Sequence, residues 1–134
     1  MKIPKRTKYK KYHKNKIKVN SDRTSFLRYG SYGIKALESS RISAQHIETI
    51  RQTIGRKIRP KGRLWIRAFP HLPVTSKPSE VRMGKGKGNV SLWVCTVKKG
   101  QILYEISGIN GSKSVKALKS GINKLPLKCS VVKY

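Results

Sequence analysis

The sequence predicts a single α+β domain, in which a mostly antiparallel sheet carries two helices on one face, plus an extended basic N-terminal arm. Two observations predict it. Apolar residues recur at helical spacing in two separate stretches, and runs rich in aromatic and β-branched residues lie before, between and after them. Strands and helices in this order are typical of the α+β class. The 134 residues suffice for one domain with a modest core, and we place the arm at 1–22 and the domain at 23–134.

The first helix is predicted together with both of its ends. Ser43 is a suitable N-cap because its hydroxyl can accept a hydrogen bond from a backbone amide of the first turn. Pro60 stops the helix, and cations in the last turn are favourable near the negative end of the helix dipole. The buried face consists of isoleucines spaced by three, four and four residues: Ile47, Ile50, Ile54 and Ile58.

Strand composition marks two further segments in the first two thirds of the chain. Residues 25–38 are predicted as a strand that is bent or bulged at Gly30 and Gly33. Residues 63–69 also have strand composition. The prolines that follow, within 70–78, predict an extended but irregular connection.

The C-terminal third predicts a hairpin, a helix and a closing strand. Residues 89–98 and 102–107 have strand composition, and Lys99-Gly100-Gln101 between them is predicted as a hairpin turn. Glycines within 108–111 break the sheet. The second helix is marked by Val115, Leu118 and Ile122, and Pro126 ends it. Residues 127–134 are predicted as the last strand, with one face formed by Leu127, Cys129 and Val131.

The charge balance indicates a polyanionic partner. The chain has 32 Lys and Arg against 5 Asp and Glu, a formal net charge of +27. Self-repulsion of this size opposes compaction, whereas a surface charged only for solubility would mix both signs. Nucleic acid is the first candidate because each neutralised phosphate releases a counterion. An anionic membrane surface is the alternative, although the sequence has no apolar run of 18 residues and its basic N-terminus does not read as a signal peptide.

Catalytic and metal-binding patterns are absent from the sequence. The acidic residues are scattered along the chain, at Asp22, Glu38, Glu48, Glu80 and Glu105. The histidines lie in three different segments, and no His/Cys spacing resembles a zinc site. We therefore predict no enzyme activity, no metal and no cofactor. Cys95 and Cys129 lie in apolar surroundings and are predicted to be buried, reduced thiols.

A glycine-lysine segment, here called the Gly-Lys loop (residues 77–89), carries the sequence RMGKGKGN. It is not a Walker loop because no Ser or Thr follows its lysines. It is not a dinucleotide fingerprint either, because Asn89 occupies the third glycine position and the loop opens a strand instead of a helix. Its glycines instead allow an RNA backbone to approach exposed amides and the ammonium groups of Lys85 and Lys87. Arg82, which is planar and always charged, suits bidentate contact with a phosphate or a base better than lysine would. A mobile surface loop is the alternative.

The arm contains too little apolar surface to order itself in free solution. Its lysines can track phosphates, and Tyr9, Tyr12 and His13 can stack on unpaired bases. A solvated tail without a partner is the alternative.

Several sequence blocks resemble the bacterial-type family sixteen of large-subunit ribosomal proteins, nearly from end to end. The blocks, in order, are PKRTKYKKYHK at 4–14, YGSYGIKAL at 29–37, RISAQHIE at 41–48, LWIRAFPHLPVTSKP at 64–78 and VRMGKGKGN at 81–89, followed by LYEISGI and KLPLK. The resemblance implies a structural protein on large-subunit rRNA that helps settle aminoacyl-site tRNA, with neighbouring ribosomal proteins as partners and no membrane. It also implies that the arm threads into rRNA and that the loop points toward tRNA. Arg82 matches an arginine that some members hydroxylate.

These arguments give two sets of candidate residues. The candidates for contact with rRNA are Lys5, Arg6, Lys8, Tyr9, Lys10, Lys11, Tyr12, His13, Lys14, Arg51, Arg56, Arg59, Arg63 and Arg67. The candidates near tRNA are Lys77, Arg82, Met83, Gly84, Lys85, Gly86, Lys87, Gly88 and Asn89.

Two questions stay open at this point. A ribosome-associated RNA-modifying or assembly factor is the alternative function. The predicted location is the ribosome of a plastid, because lysine outnumbers arginine, isoleucine is frequent, and Met1 is followed by no clear transit peptide. A mitochondrion and a bacterial cytoplasm are the alternative locations.

Overall fold

The structure is a computed structural model that describes residues 3–17 and 24–134. In this part of the chain, two helices and seven strands form one small α+β domain, which confirms the predicted class. In chain order they are β1 (Tyr32–Ala36), β2 (Ser40–Ser43), α1 (Ala44–Ile58), β3 (Arg63–Ile66), β4 (Leu72–Ser76), β5 (Asn89–Val97), β6 (Ile102–Ser107), α2 (Gly111–Ile122) and β7 (Cys129–Lys133). The predicted boundary between arm and domain, at residues 22 and 23, lies outside the described residues.

The strands divide between two antiparallel sheets. The larger sheet has the order β3-β6-β1-β7, and the smaller has the order β2-β5-β4. Helix α1 contacts β3, and α2 contacts β1 and β7, so both helices cover one face of the larger sheet, as predicted. Helix α1 also contacts β2 and β5, and it thereby joins the two sheets around one core.

The predicted hairpin between residues 89–98 and 102–107 is wrong, although both strands exist. Strand β5 pairs with β2 on one edge and β4 on the other, so neither edge is left for β6. The turn forms locally, with Gly100 at a φ of 88° and the Gln101 amide donating to the Lys98 carbonyl. The chain uses this turn to pass from the smaller sheet to the larger one.

The proline-rich connection was also predicted wrongly, because Leu72–Ser76 within it forms strand β4. Pro73 lies opposite Trp93 in the ladder with β5. Proline donates no hydrogen bond, and it is tolerated here because β4 is an edge strand. Strand β2, which has only four residues, was not predicted at all.

Both predicted ends of the first helix are confirmed. The Ser43 side chain accepts a hydrogen bond from the His46 amide, and Arg59 is the C-cap before Pro60. All four isoleucines of the predicted stripe are buried. They pack against the larger sheet, where the Tyr104 hydroxyl donates to the Ile47 carbonyl across the core. The last strand also meets its prediction, with its apolar face packed on the core.

The first predicted strand is shorter than expected. Only Tyr32–Ala36 pairs in the sheet, with a register shift between Ile34 and Lys35. The residues before it lie over β6 instead, since the Thr24 carbonyl accepts from the Ile102 amide, and a side chain at Gly33 would collide with Leu27. The backbone amides at 28–30 bind a carboxylate of β6, which is why they do not form a ladder.

Candidate nucleic-acid interface

The described part of the arm lies against the Gly-Lys loop. The Lys11 ammonium donates to the Lys87 carbonyl, and the Lys87 ammonium donates to the Tyr12 carbonyl. Farther along the arm, the Arg41 guanidinium donates to the Asn15 carbonyl at 2.7 Å. Residues 3–17 contain no helix or strand, and nearly all their side chains are exposed. The two basic segments, whose contacting residues lie 76 and 75 positions apart in the sequence, therefore form one surface.

The backbone of the Gly-Lys loop is left-handed at three successive residues. Gly84, Lys85 and Gly86 have φ values of 100°, 54° and 74°. Glycine adopts such angles without steric cost, whereas Lys85 is strained there. Successive amides in turn conformations form concavities that suit anions. The loop is exposed from residue 77 to 87, and Met83 at its tip is fully exposed.

The three glycines of GKGKG differ in what their missing side chains permit. A Cβ at Gly84 or Gly86 would meet no atom within 4 Å, so at these positions the backbone angle favours glycine. A Cβ at Gly88 would lie 2.3 Å from the Ser76 carbonyl oxygen. Gly88 therefore allows the two ends of the loop to close together at the start of the β4–β5 ladder, where Ser76 pairs with Asn89.

The candidate arginines of the domain lie in unequal environments. Arg56, Arg59 and Arg63 are exposed. The Arg51 side chain is 42% exposed and forms three hydrogen bonds with the Glu48 carboxylate. These hydrogen bonds lower the pKa of Glu48 to about 2 despite opposing desolvation. Arg67 is only 15% exposed and is engaged within the protein. The structure thus leaves three of these five guanidinium groups open to a partner.

Arg67 belongs to a network around the buried carboxylate of Glu105, which is 0% exposed. The Arg67 guanidinium donates to Glu105 Oε1 and to the Phe26 carbonyl, both at 2.6 Å. Three consecutive amides donate to Glu105 Oε2, at 3.0, 2.6 and 2.8 Å, from Arg28, Tyr29 and Gly30. Desolvation raises the pKa of Glu105, but the three amides and Arg67 outweigh it and hold the pKa below its ordinary value.

The Glu105 network supports a groove along the free edge of β3. The groove has a volume of about 770 Å³ and lies between α1 and β3. Its walls include Arg51, Gly55 and Arg59 from α1, and Tyr29 and Trp65 from the other side. The two aromatic rings stack with centroids 6.3 Å apart and planes inclined by 20°. Tyr29 is 56% exposed.

Sequence reasoning missed the groove and the network that supports it. Gly55, Tyr29, Trp65 and Glu105 were not among the candidates, because their partners are distant in sequence. One signal was available for Glu105: it is the only acid within an otherwise apolar strand, ILYEIS. A charge buried in such a strand requires a partner.

The thiols have no reactive environment. Both cysteines are free; Cys95 is buried as predicted, whereas Cys129 is only partly buried. Burial raises the pKa of both thiols, that of Cys129 to about 12 with a further contribution from Glu38. Within residues 3–17 and 24–134, no group of three His, Cys, Asp or Glu side chains could hold a metal ion. Neither helix of this part has the length and apolar character that a membrane span requires.

The fold and the surface define the class of protein: a small, strongly cationic α+β domain that presents a glycine-lysine loop beside a basic arm. The chain belongs to the family described as Ribosomal protein L16p/L10e, whose sequence model matches residues 4–132. The resemblance seen in its sequence blocks is thereby confirmed.

Individual relatives agree with this assignment over nearly their whole length. The Large ribosomal subunit protein uL16 of Leptospira biflexa is 44% identical over 133 residues, which cover 99% of this chain and 97% of the relative. The protein of the same name from Zymomonas mobilis is 50% identical, with coverages of 96% and 90%. That of Maricaulis maris is 48% identical, with coverages of 96% and 94%. These relatives are bacterial, and they give the predicted plastid location no support.

Proposed function

We propose that this protein is a structural component of the large ribosomal subunit that binds large-subunit rRNA and helps to position tRNA at the aminoacyl site. Family membership and the names of the relatives support the ribosomal assignment. The observation that carries the RNA-binding role is the joined surface of arm and Gly-Lys loop. This surface concentrates lysines and backbone amides. Glu80 is the only acidic residue among arm residues 3–17 and loop residues 77–89.

The arm and the loop have different tasks in this proposal. The exposed cations of the arm neutralise rRNA phosphates, with Tyr9 and Tyr12 available to stack on unpaired bases. The left-handed backbone at Gly84–Gly86 aims amides at a phosphate. The contact between Lys87 and Tyr12 transmits the position of the rRNA-bound arm to the loop. Arg82, exposed on the loop, makes the tRNA contact.

The role is non-catalytic, and its partners are rRNA, tRNA and neighbouring ribosomal proteins. The relatives are named as subunit proteins, which favours this role over an RNA-modifying or assembly factor. We place the protein on the ribosome. Of the compartments that the sequence left open, the bacterial relatives favour a bacterial cytoplasm over a plastid or a mitochondrion.

Binding to rRNA fragments is expected to weaken about 10³- to 10⁵-fold between 50 and 200 mM salt if 6–10 phosphates are contacted. Filter binding across this range gives the slope of the logarithm of the binding constant against the logarithm of the salt concentration. Replacing the exposed arm residue Lys10 with alanine should reduce the slope by about one. Lys124→Ala, which removes an exposed cation at the end of α2, is the matched control and should leave the slope unchanged. A flat salt response of the unaltered protein would exclude an rRNA-binding role.

Arg82→Ala is expected to leave rRNA binding intact and to weaken aminoacyl-site tRNA binding by about tenfold or more, because a charge-assisted hydrogen bond contributes about 1.5–3 kcal/mol. Binding of tRNA to reconstituted large subunits measures this. Arg82→Lys keeps the charge and loses the planar fork. An intermediate affinity for this variant indicates bidentate contact, and unchanged tRNA binding by Arg82→Ala removes the proposed role of Arg82.

A further inference from the structure

We propose that the groove between α1 and β3 binds one unpaired nucleotide of RNA, with the base against Tyr29 and Trp65 and the phosphate on Arg59, the C-cap of α1. This inference rests on the proposed function and assigns a second RNA site, whose lining contains no residue of the Gly-Lys loop. Its volume of about 770 Å³ falls in the range of small-molecule sites and accommodates a nucleotide.

The lining has the chemistry that an unpaired nucleotide requires. Aromatic rings supply stacking surface that tolerates any base, and here Tyr29 and Trp65 lie nearly parallel. Arg59 is exposed, and its side chain forms no hydrogen bond or ion pair with the described residues. Glu105, which accepts a hydrogen bond from the Tyr29 amide, is neutralised by Arg67, and Glu48 is paired with Arg51. The groove therefore favours an anion that carries an aromatic ring.

The edge of β3 adds hydrogen-bonding groups. Arg67 donates from its amide to the Leu103 carbonyl, in register with the pairs of β3 and β6. Antiparallel ladders alternate, so the backbone groups of Leu64 and Ile66 point away from β6, toward the free edge of the sheet. Both residues line the groove. Their amides and carbonyls can meet the edge of a base.

Gly55 supplies the independent indication that a partner approaches this wall. Glycine in a helix interior costs about 1 kcal/mol relative to alanine. A Cβ at Gly55 would meet no atom within 4 Å, so packing within the described chain does not require glycine there. The missing side chain keeps the groove open on the α1 side. A base or sugar that lies against α1 accounts for it.

Trp65 fluorescence tests the proposal in the full chain once Trp93→Phe has removed the other tryptophan. The probe is a five-nucleotide single-stranded oligoadenylate. It is expected to quench Trp65, and Gly55→Leu, which fills the groove with a good helix former, should weaken the interaction about tenfold or more. Gly55→Ala adds one carbon to the same wall and stabilises the helix, so it should weaken the interaction, but by less than Gly55→Leu does. Equal affinity of the parent and the Gly55→Leu variant overturns the proposal.

Two further ligands separate the possible occupants. Inorganic polyphosphate carries the charge without bases, and pentaglutamate represents an acidic peptide strand. Quenching by oligoadenylate alone supports a nucleotide site. Equal quenching by polyphosphate shows a purely electrostatic surface, and equal quenching by pentaglutamate shows a peptide-binding edge; either result overturns the proposal. If oligoadenylate fails while the rRNA fragment still binds with the expected salt slope, the groove proposal alone falls and the proposed function stands.

Discussion

Replacement of Glu105 with alanine is expected to lower the free energy of unfolding by about 3–5 kcal/mol, which is the cost of removing one partner from a buried ion pair. The substitution leaves the Arg67 guanidinium, 15% exposed, without its carboxylate. It also removes the acceptor shared by three consecutive backbone amides. Urea unfolding followed by circular dichroism measures the loss.

Conservative variants distinguish charge from shape at this position. Glu105→Gln keeps the size but has one carbonyl oxygen, which cannot serve both the amide cluster and Arg67, so an intermediate loss is expected. Arg67→Met leaves the amides in place and removes the ion pair. The double variant completes a cycle whose coupling energy should lie at about 0.5–3 kcal/mol. A loss below about 1 kcal/mol for Glu105→Ala would contradict the network.

The same carboxylate predicts the direction of the acid response. Its pKa in the folded state is held below the ordinary value. A depressed carboxyl pKa contributes stability that is fully present above the unfolded pKa, about 4.3 for Glu. That contribution is lost as the pH falls through the folded pKa. The parent should therefore lose stability below about pH 4 more steeply than Glu105→Gln does, as unfolding midpoints from pH 6 to 2.5 will show.

The elements that sequence reasoning predicted well are those specified by local pattern. The isoleucine spacing of α1 and its Ser43 and Pro60 ends depend on residues within one helix, and the structure reproduces them. The closing strand is also set by alternation over a few residues. In each case the informative residues lie close together in the sequence, so one-dimensional periodicity suffices.

The features that sequence reasoning missed depend on distant pairing. Strands β5 and β6 look like a hairpin because a glycine turn joins them, yet β5 takes both its partners from elsewhere in the chain. The Glu105 network joins residues separated by 38 to 77 positions. The contact between Lys87 and Tyr12 joins residues that are 75 positions apart. No local pattern records which distant segment completes such a contact.

Gly88→Ala is expected to destabilise the protein by about 1–3 kcal/mol, the usual cost of forcing atoms into a closely packed position. The new Cβ would lie 2.3 Å from the Ser76 carbonyl oxygen and 2.7 Å from its carbon. Both are backbone atoms, so no side-chain rotation relieves the collision. The pairing of Ser76 with Asn89 should open, and the β5 amide that bonds to β4 at this end of the ladder should exchange faster with solvent.

A matched substitution in the same loop separates this steric effect from backbone strain. Gly86 has a φ of 74° and open space around its Cβ position. Asparagine tolerates left-handed angles, so Gly86→Asn should change stability by only a few tenths of a kcal/mol. Gly88 lacks a positive φ, so its alanine variant tests contact alone. If Gly88→Ala unfolds and exchanges as the parent does, the β4–β5 ladder does not fix the base of the Gly-Lys loop. If it opens the ladder and also weakens tRNA binding, closure of the loop ends at Gly88 is what holds Arg82 in position.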